Sequence, residues 1–423
     1  MPRRVGKKDQ GAEAALARGA RLGAMGLLLS GNLGISTAFG MLLLLPLYVQ
    51  KLGGDEASFG IVMAAATIPA GLSIGLLIRY PEAWRPNVVL TIAVLAYGLG
   101  AAGAALVTVT WVPLVGIGVL LGTAWAVVYA ASPMVMSEMV SDRERATYFG
   151  YLTGTQQLGI GLGPVIGGLL VGGGLGFRGV FLVAGALCAV AAALVFVVGW
   201  IVPDARMTAA RTGAGTGDEP GTIAPFGSAL GRILRSESAF WLVMIALFAC
   251  LFTTMTSFQT TFAGARGLDF SVYYLSYTAA VIISRFGIAS FASRYDTRLV
   301  IAVATSITAL ALASFLLVGS STLLYGLASG FVGIGYGLAL PAAQAQAVNA
   351  SVESIRPRVL PLAGLLFETT ILAFPLLAGW VISSFGYGAV FAVLVLVTLV
   401  QAMLGWERFL AARKLTRPAP LRR

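Results

Sequence analysis

Two charged residues lie where charge is expensive. Of the 17 acids in the chain, Glu368 alone falls deep inside a long apolar run, and of the 28 Lys and Arg, Arg285 alone does so. Such groups cost on the order of 3 kcal/mol at the centre of a bilayer unless paired or hydrated, so they mark ion paths, proton relays or fixed pairs. Counted from the nearest polar flank, each sits about nine residues in, or ~13 Å along a helix. Equal depth permits an ion pair between them. Two readings stand. Burial and a nearby cation pull a carboxyl group's proton affinity in opposite directions, and a group held between them can load and release a proton. The other reading is a permanent salt bridge that holds two helices together.

Little other chemistry is on offer. The chain has no histidine, the commonest metal ligand and general base. Its two cysteines, Cys188 and Cys250, sit inside apolar runs and read as buried filler rather than a disulfide framework. No metal spacing, nucleotide loop or catalytic triad is found, so neither an enzyme nor a bound cofactor or metal is expected.

The elements that must position Glu368 and Arg285 are membrane helices. The chain is 58% hydrophobic and 11% charged, with a mean hydropathy of +0.89. No ordinary soluble domain hides that much apolar surface. Twelve apolar segments, each long enough for a core of ~30 Å, are expected at 24–49, 58–79, 87–108, 112–137, 147–172, 179–201, 239–263, 271–293, 299–319, 322–348, 359–383 and 388–410. The first is too long for a cleavable signal and follows a basic stretch. With the N-terminus in the cytoplasm, 24 of the 28 basic residues fall in the tails, the even-numbered loops and the middle linker. Only Lys51, Arg178 and Arg266 fall outside, a positive-inside pattern with both termini cytoplasmic. The net charge of +11 therefore faces anionic lipid and requires no nucleic acid.

Segment five carries a fixed glycine pattern, GYLTGTQQLGIGLGPVIGG, with Gly150, Gly159, Gly163, Pro164, Gly167 and Gly168. Gly159 and Gly163 make a small-xxx-small face that lets another helix approach, and Pro164 removes a backbone donor and can bend the helix. Such a helix suits a seal between two rocking halves. The pattern resembles the fifth-helix motif of the major facilitator superfamily, in particular its twelve-helix drug:proton antiporter efflux families.

The halves also resemble each other. The residues Gly176-Phe177-Arg178-Gly179-Val180-Phe181 are echoed at Gly386-Tyr387-Gly388-Ala389-Val390-Phe391, an offset of 210. At 211, Pro164 and Gly168 map to Pro375 and Gly379, and Gln157 maps to Glu368. Two six-helix repeats are what the superfamily resemblance implies, and with the twelve apolar segments the expected fold is an all-α membrane protein of twelve transmembrane helices in two six-helix pseudo-repeats. The expected divisions are a basic N-tail at 1–23, a bundle at 24–201, a cytoplasmic linker at 202–238, a second bundle at 239–410 and a basic C-tail at 411–423.

The resemblance implies a cavity lined mainly by segments one, four, seven and ten. These offer Asn32, then Trp125 and Tyr129, then Thr253 and Gln259, then Tyr336 and Gln344. Segment five adds Gln156 and Gln157, and segment eight adds Tyr277. Hydroxyls, amides and rings suit a neutral or amphipathic organic molecule. The same residues singly serve as interhelical hydrogen bonds or interfacial aromatics. Segment one lacks the acid of many cation-selective exporters, which disfavours a dedicated cation pump. The superfamily's loop motifs are altered, with Arg79 where an Asp is expected and Arg85 beyond it. The second copy, with Arg294, Asp296 and Arg298, is closer to the pattern. Glu138 is either the partner of Arg79 or Arg85 in a cytoplasmic latch or a solvated interfacial charge.

The sequence thus points to an inner-membrane, multi-pass secondary transporter that exports a small organic solute against protons and acts as a monomer among lipid. The alternatives are an uptake symporter or facilitator of the same fold, and a lipid flippase or membrane sensor.

Overall fold

The computed structural model describes residues 7–80, 84–201, 231–288, 294–352 and 355–416. Most of the expected linker, with Arg206 and Arg211, lies outside these residues, as do the ends of both tails. The described residues are helical and contain no strand. In chain order the helices are α1 Lys7–Leu42, α2 Leu45–Lys51, α3 Glu56–Ala64, α4 Thr67–Arg79, α5 Pro86–Leu106, α6 Leu114–Met139, α7 Asp142–Leu170 and α8 Gly176–Ile201. Then come α9 Glu237–Ser257, α10 Gln259–Arg266, α11 Phe270–Ile283, α12 Thr297–Phe315, α13 Thr322–Asn349, α14 Arg356–Phe385 and α15 Tyr387–Thr416. A π-helical turn, Ser284–Ile288, extends α11.

Local sequence explains the starts. Asp55, Asp269, Asp296 and Ser321 each cap a helix, their side chains accepting from Ser58, Ser271, Arg298 and Leu324 backbone N–H groups. Pro46 falls in the first turn of α2, where its missing N–H costs nothing, so α1 and α2 read as one broken span.

Among the described residues, ten segments are long and apolar enough to cross a membrane. The longest, Thr147–Ile201, has 55 residues, about 80 Å if straight. That is far more than a bilayer core, and it turns back at Gly174 and Gly176, whose φ angles are +96° and +63°. Only glycine adopts such angles freely. Gly386, at the repeat-equivalent position, has φ +81° and opens α15 as Gly176 opens α8. The helix α11, in the eighth expected segment, is not among the ten.

The two halves share one packing scheme. In the first, α1 packs on α7, α5 on α6 and α8, and α4 on α6. In the second, α9 packs on α14, α12 on α13 and α15, and α11 on α13. These are the same pairings shifted by one repeat. The halves meet through α3 and α4 against α14, and through α7 against α11, again related by the repeat. The outer surface is apolar: Trp200 is 81% and Leu317 77% exposed, an arrangement stable only if lipid is the solvent.

Candidate substrate cavity

A cavity of about 550 Å³ lies between the halves, within the range of small-molecule sites. Its walls come from α1, α6 and α7 of the first half and α9, α12, α13 and α14 of the second, with Arg285 from the π turn after α11. Trp125, Tyr129, Gln156, Gln157, Arg285, Tyr336, Gln344 and Glu368, scattered over 244 positions of sequence, all line it, and so does Gly150. The lining also includes Thr297, at the start of α12, so the cavity extends toward the end of the molecule where α1, α7 and α12 begin.

Glu368 is 1% exposed, and neither carboxylate oxygen has a hydrogen-bond partner. Arg285 lines the same cavity with its Nε unpartnered. No ion pair within 4.0 Å joins the two among the described residues. The permanent salt bridge allowed by equal depth is therefore not made in this conformation. Gln157, the repeat-equivalent of Glu368, is also buried, and its Nε2 has no partner. The two repeats thus place an amide and a carboxylate in the wall of one space.

Rings fill the rest of the wall. Phe39 stacks on Trp125 at 3.9 Å, and Phe252 on Tyr336 at 5.2 Å. Tyr129 of the first half stacks on Phe367 of the second at 6.3 Å, next to Glu368. Phe39, Phe149, Phe252, Phe367 and Thr153 were not expected in the lining. A phenylalanine in an apolar run looks the same whether it faces lipid, core or cavity, so only the repeat relation to a charged neighbour could have pointed to Phe367.

Four expected lining residues lie elsewhere. Asn32 donates to the Leu152 carbonyl and Thr155 Oγ1, both at 2.9 Å, clamping α1 to α7. Thr253 donates to the Ile371 carbonyl at 2.9 Å, clamping α9 to α14. Gln259 accepts from Tyr325 OH at 2.9 Å. Tyr277 is buried in a stack with Tyr273.

The end opposite the cavity mouth is closed. Tyr387 OH donates to Glu56 Oε1 at 2.6 Å, and Ala57 N donates to Ser383 Oγ at 3.1 Å, both across the halves. Thr260 Oγ1 donates to the Leu43 carbonyl at 3.3 Å. Glycines bring the backbones together: a Cβ on Gly60 would come within 2.8 Å of Leu376, and one on Gly379 would overlap Glu56. A Cβ on Gly161 would overlap Thr278, and one on Gly168 would reach 2.7 Å from Phe270.

This divides the glycine pattern of α7 between two jobs. Gly159 and Gly163 face α1 of their own half, where a Cβ would come within 2.7 Å of Ser36 or strike the Thr37 carbonyl. Gly167 packs near Leu44, and Pro164 lies within the helix. Contacts with the other half are made by Gly168, and by Gly154 and Gly161, which the pattern does not include. At the mouth end, Arg79 is exposed with its guanidinium 5.1 Å from the Tyr80 ring centre. Arg85 is exposed and Glu138 half-buried. Asp296 caps α12 beside exposed Arg294 and half-buried Arg298. A charged clamp at this end joins Arg21 and Glu144. Arg21 bonds Glu144 at 2.7 Å and donates to the Met139 carbonyl, tying α1 to the α6–α7 corner. The Glu144 carboxylate also takes the Ser141 hydroxyl at 2.7 Å. The Ser141 and Arg21 hydrogen bonds hold its pKa below the usual carboxylate value.

Comparison with known proteins agrees with this architecture. No curated protein sequence matches the chain. Three solved structures share its fold at low identity. A nucleoside transporter, NupG, has a TM-score of 0.70 at 14% identity, over 92% of this chain and 100% of that one. A bacterial homologue of the human lysosomal transporter Spinster, in an inward-facing, unoccupied conformation, has 0.72 at 15%, over 96% and 99%. The human organic anion transporter MFSD10 has 0.62 at 17%, over 91% and 99%. A family model described as Major Facilitator Superfamily matches residues 25–353, and the chain is a member of that family, a multi-pass membrane transporter and not an enzyme.

Proposed function

We propose that the protein exports a small organic solute in exchange for protons, by alternating access, with Glu368 as the proton-carrying group. The observation that carries this reading is the unpartnered carboxylate of Glu368 in a cavity closed at one end. A buried carboxylate without a protein hydrogen-bond partner is costly, and a group that must change its protonation state is a reason to keep one there. The distribution of basic residues supports a cytoplasmic cavity mouth; on that reading this conformation is inward-facing, and the Glu56–Tyr387 and Ala57–Ser383 contacts form the outer gate. Both termini are then cytoplasmic. The latch role of Arg79, Arg85, Glu138 and the Arg294–Arg298 turn belongs to the outward-facing state, in which the inner ends of the halves close together. The nucleoside and organic anion transporters among the structural neighbours carry small organic solutes, which suits a cavity of this size.

The test is solute-driven proton movement. Proteoliposomes with an internal pH dye are challenged with a small-molecule library at zero membrane potential. Export by exchange predicts that some solutes move protons opposite to their own gradient. Solute movement with no proton movement, for every transported compound, removes the coupling; proton movement in the same direction as solute replaces exchange by symport.

A further inference from the structure

We infer that the cavity is built for a zwitterion with an aromatic or otherwise flat apolar body, its cationic end on Glu368 and its anionic end on Arg285. The inference rests on reading this cavity as the transport site. Three observations carry it. First, an acid and a base line one small space, yet they do not pair. Opposite charges at one low-dielectric site attract strongly, so leaving both without a partner conserves two binding sites of opposite sign. Second, the unpartnered polar atoms match the two ends of such a ligand. Glu368 Oε1 and Oε2 are acceptors for an ammonium, while Arg285 Nε and Gln157 Nε2 are donors for a carboxylate. Third, the wall beside Glu368 is aromatic. Tyr129, Phe367, Phe252 and Tyr336 form a continuous run of ring contacts, which favours a cation at a ring face and a flat body between rings. A net cation would leave Arg285 opposed by like charge, and a net anion would leave Glu368 so opposed; a zwitterion satisfies both without net charge entering the bundle.

The test uses the full-length protein in lipid nanodiscs and two ring-matched probe sets. One set is para-aminomethylbenzoate, benzylamine, benzoate and benzyl alcohol; the other is tryptophan, tryptamine, indolepropionate and tryptophol. They differ in charge separation, and within each set the ring is kept while the charged groups are removed or replaced. Calorimetric affinities are expected to favour at least one zwitterion by ten-fold or more over its three congeners. Glu368→Gln is expected to erase the preference over the anion, and Arg285→Gln the preference over the cation. Arg285→Lys is expected to retain that preference, which a merely structural role for the guanidinium would not predict. The inference is overturned if no zwitterion binds, if a cation, anion or neutral congener binds as tightly, or if both variants weaken all probes equally. Flux of the same probes in proteoliposomes separates this from the transport reading. A zwitterion that binds with the predicted charge dependence but does not move protons defeats the exchange reading alone. Proton-coupled flux of cations only, with zwitterions indifferent, defeats the substrate class alone.

Discussion

Glu368 has no partner to lose, so its substitution separates chemistry from folding. Glu368→Gln keeps shape and removes only a buried charge. Its stability is expected within about 1 kcal/mol of the parent, because no hydrogen bond is broken; thermal unfolding in detergent measures this. A loss of ~3 kcal/mol or more would mean that Glu368 is half of a buried pair after all. Glu144 is the contrasting case. Its pKa is lowered by Ser141 and Arg21, so its contribution to stability is full above its ordinary value of 4.5 and is lost as pH falls through the lower, folded-state value. Glu144→Gln is expected to flatten that acid limb of a pH–stability profile, and an unchanged limb would place the dependence elsewhere. Both cavity charges were legible in the sequence, because a charge in an apolar run has no bland neighbours. The hydroxyls and amides were less so. Asn32 and Thr253 carry the same chemistry as lining residues, and only helix rotation turns them into clamps between α1 and α7 and between α9 and α14.

At the scale of the helix, α7 has two working faces. Gly163 lies against the Thr37 carbonyl and Gly40 of α1, so Gly163→Leu must push apart two backbones within one bundle. Overpacking of this kind costs about 1–3 kcal/mol or more, and the variant is expected to unfold at lower temperature as well as to transport poorly. Gly161 instead faces Thr278 of the other half. Gly161→Val is expected to leave the melting temperature near that of the parent while raising labelling of cysteines placed at the outer end, since only the closed gate is crowded. Equal labelling in parent and variant would show that Gly161 does not hold the gate. The spacing of Gly159, Gly163 and Pro164 was readable in sequence, but spacing names a smooth face and not the neighbour it meets. In this conformation Gly168 meets Phe270 of the other half, while Gly159 and Gly163 meet α1 of their own. Gly176 and Gly386, echoed at an offset of 210 in the sequence, both have positive φ, where glycine has few substitutes.

At the scale of the molecule, two similar bundles meet along α3, α4 and α14 and along α7 and α11. The proposed alternating access would have to break the contacts at the closed end. A disulfide between Ala57→Cys and Ser383→Cys, in a background lacking Cys188 and Cys250, is expected to abolish net transport, and a reductant is expected to restore it. Transport by the fully cross-linked protein would rule out opening at that gate. The repeat itself was legible from short echoes at a nearly constant offset, whereas the closed end was not, because no local sequence records which state a two-state molecule occupies. The claim that Glu368 couples solute to protons is tested most directly by two fluxes on one preparation of Glu368→Gln. Solute counterflow at saturating solute, which needs no net proton movement, is expected to persist even if the variant's affinity falls, while accumulation driven by an imposed pH gradient is expected to vanish. A stable Glu368→Gln protein that still accumulates solute in response to a pH gradient would contradict the assignment.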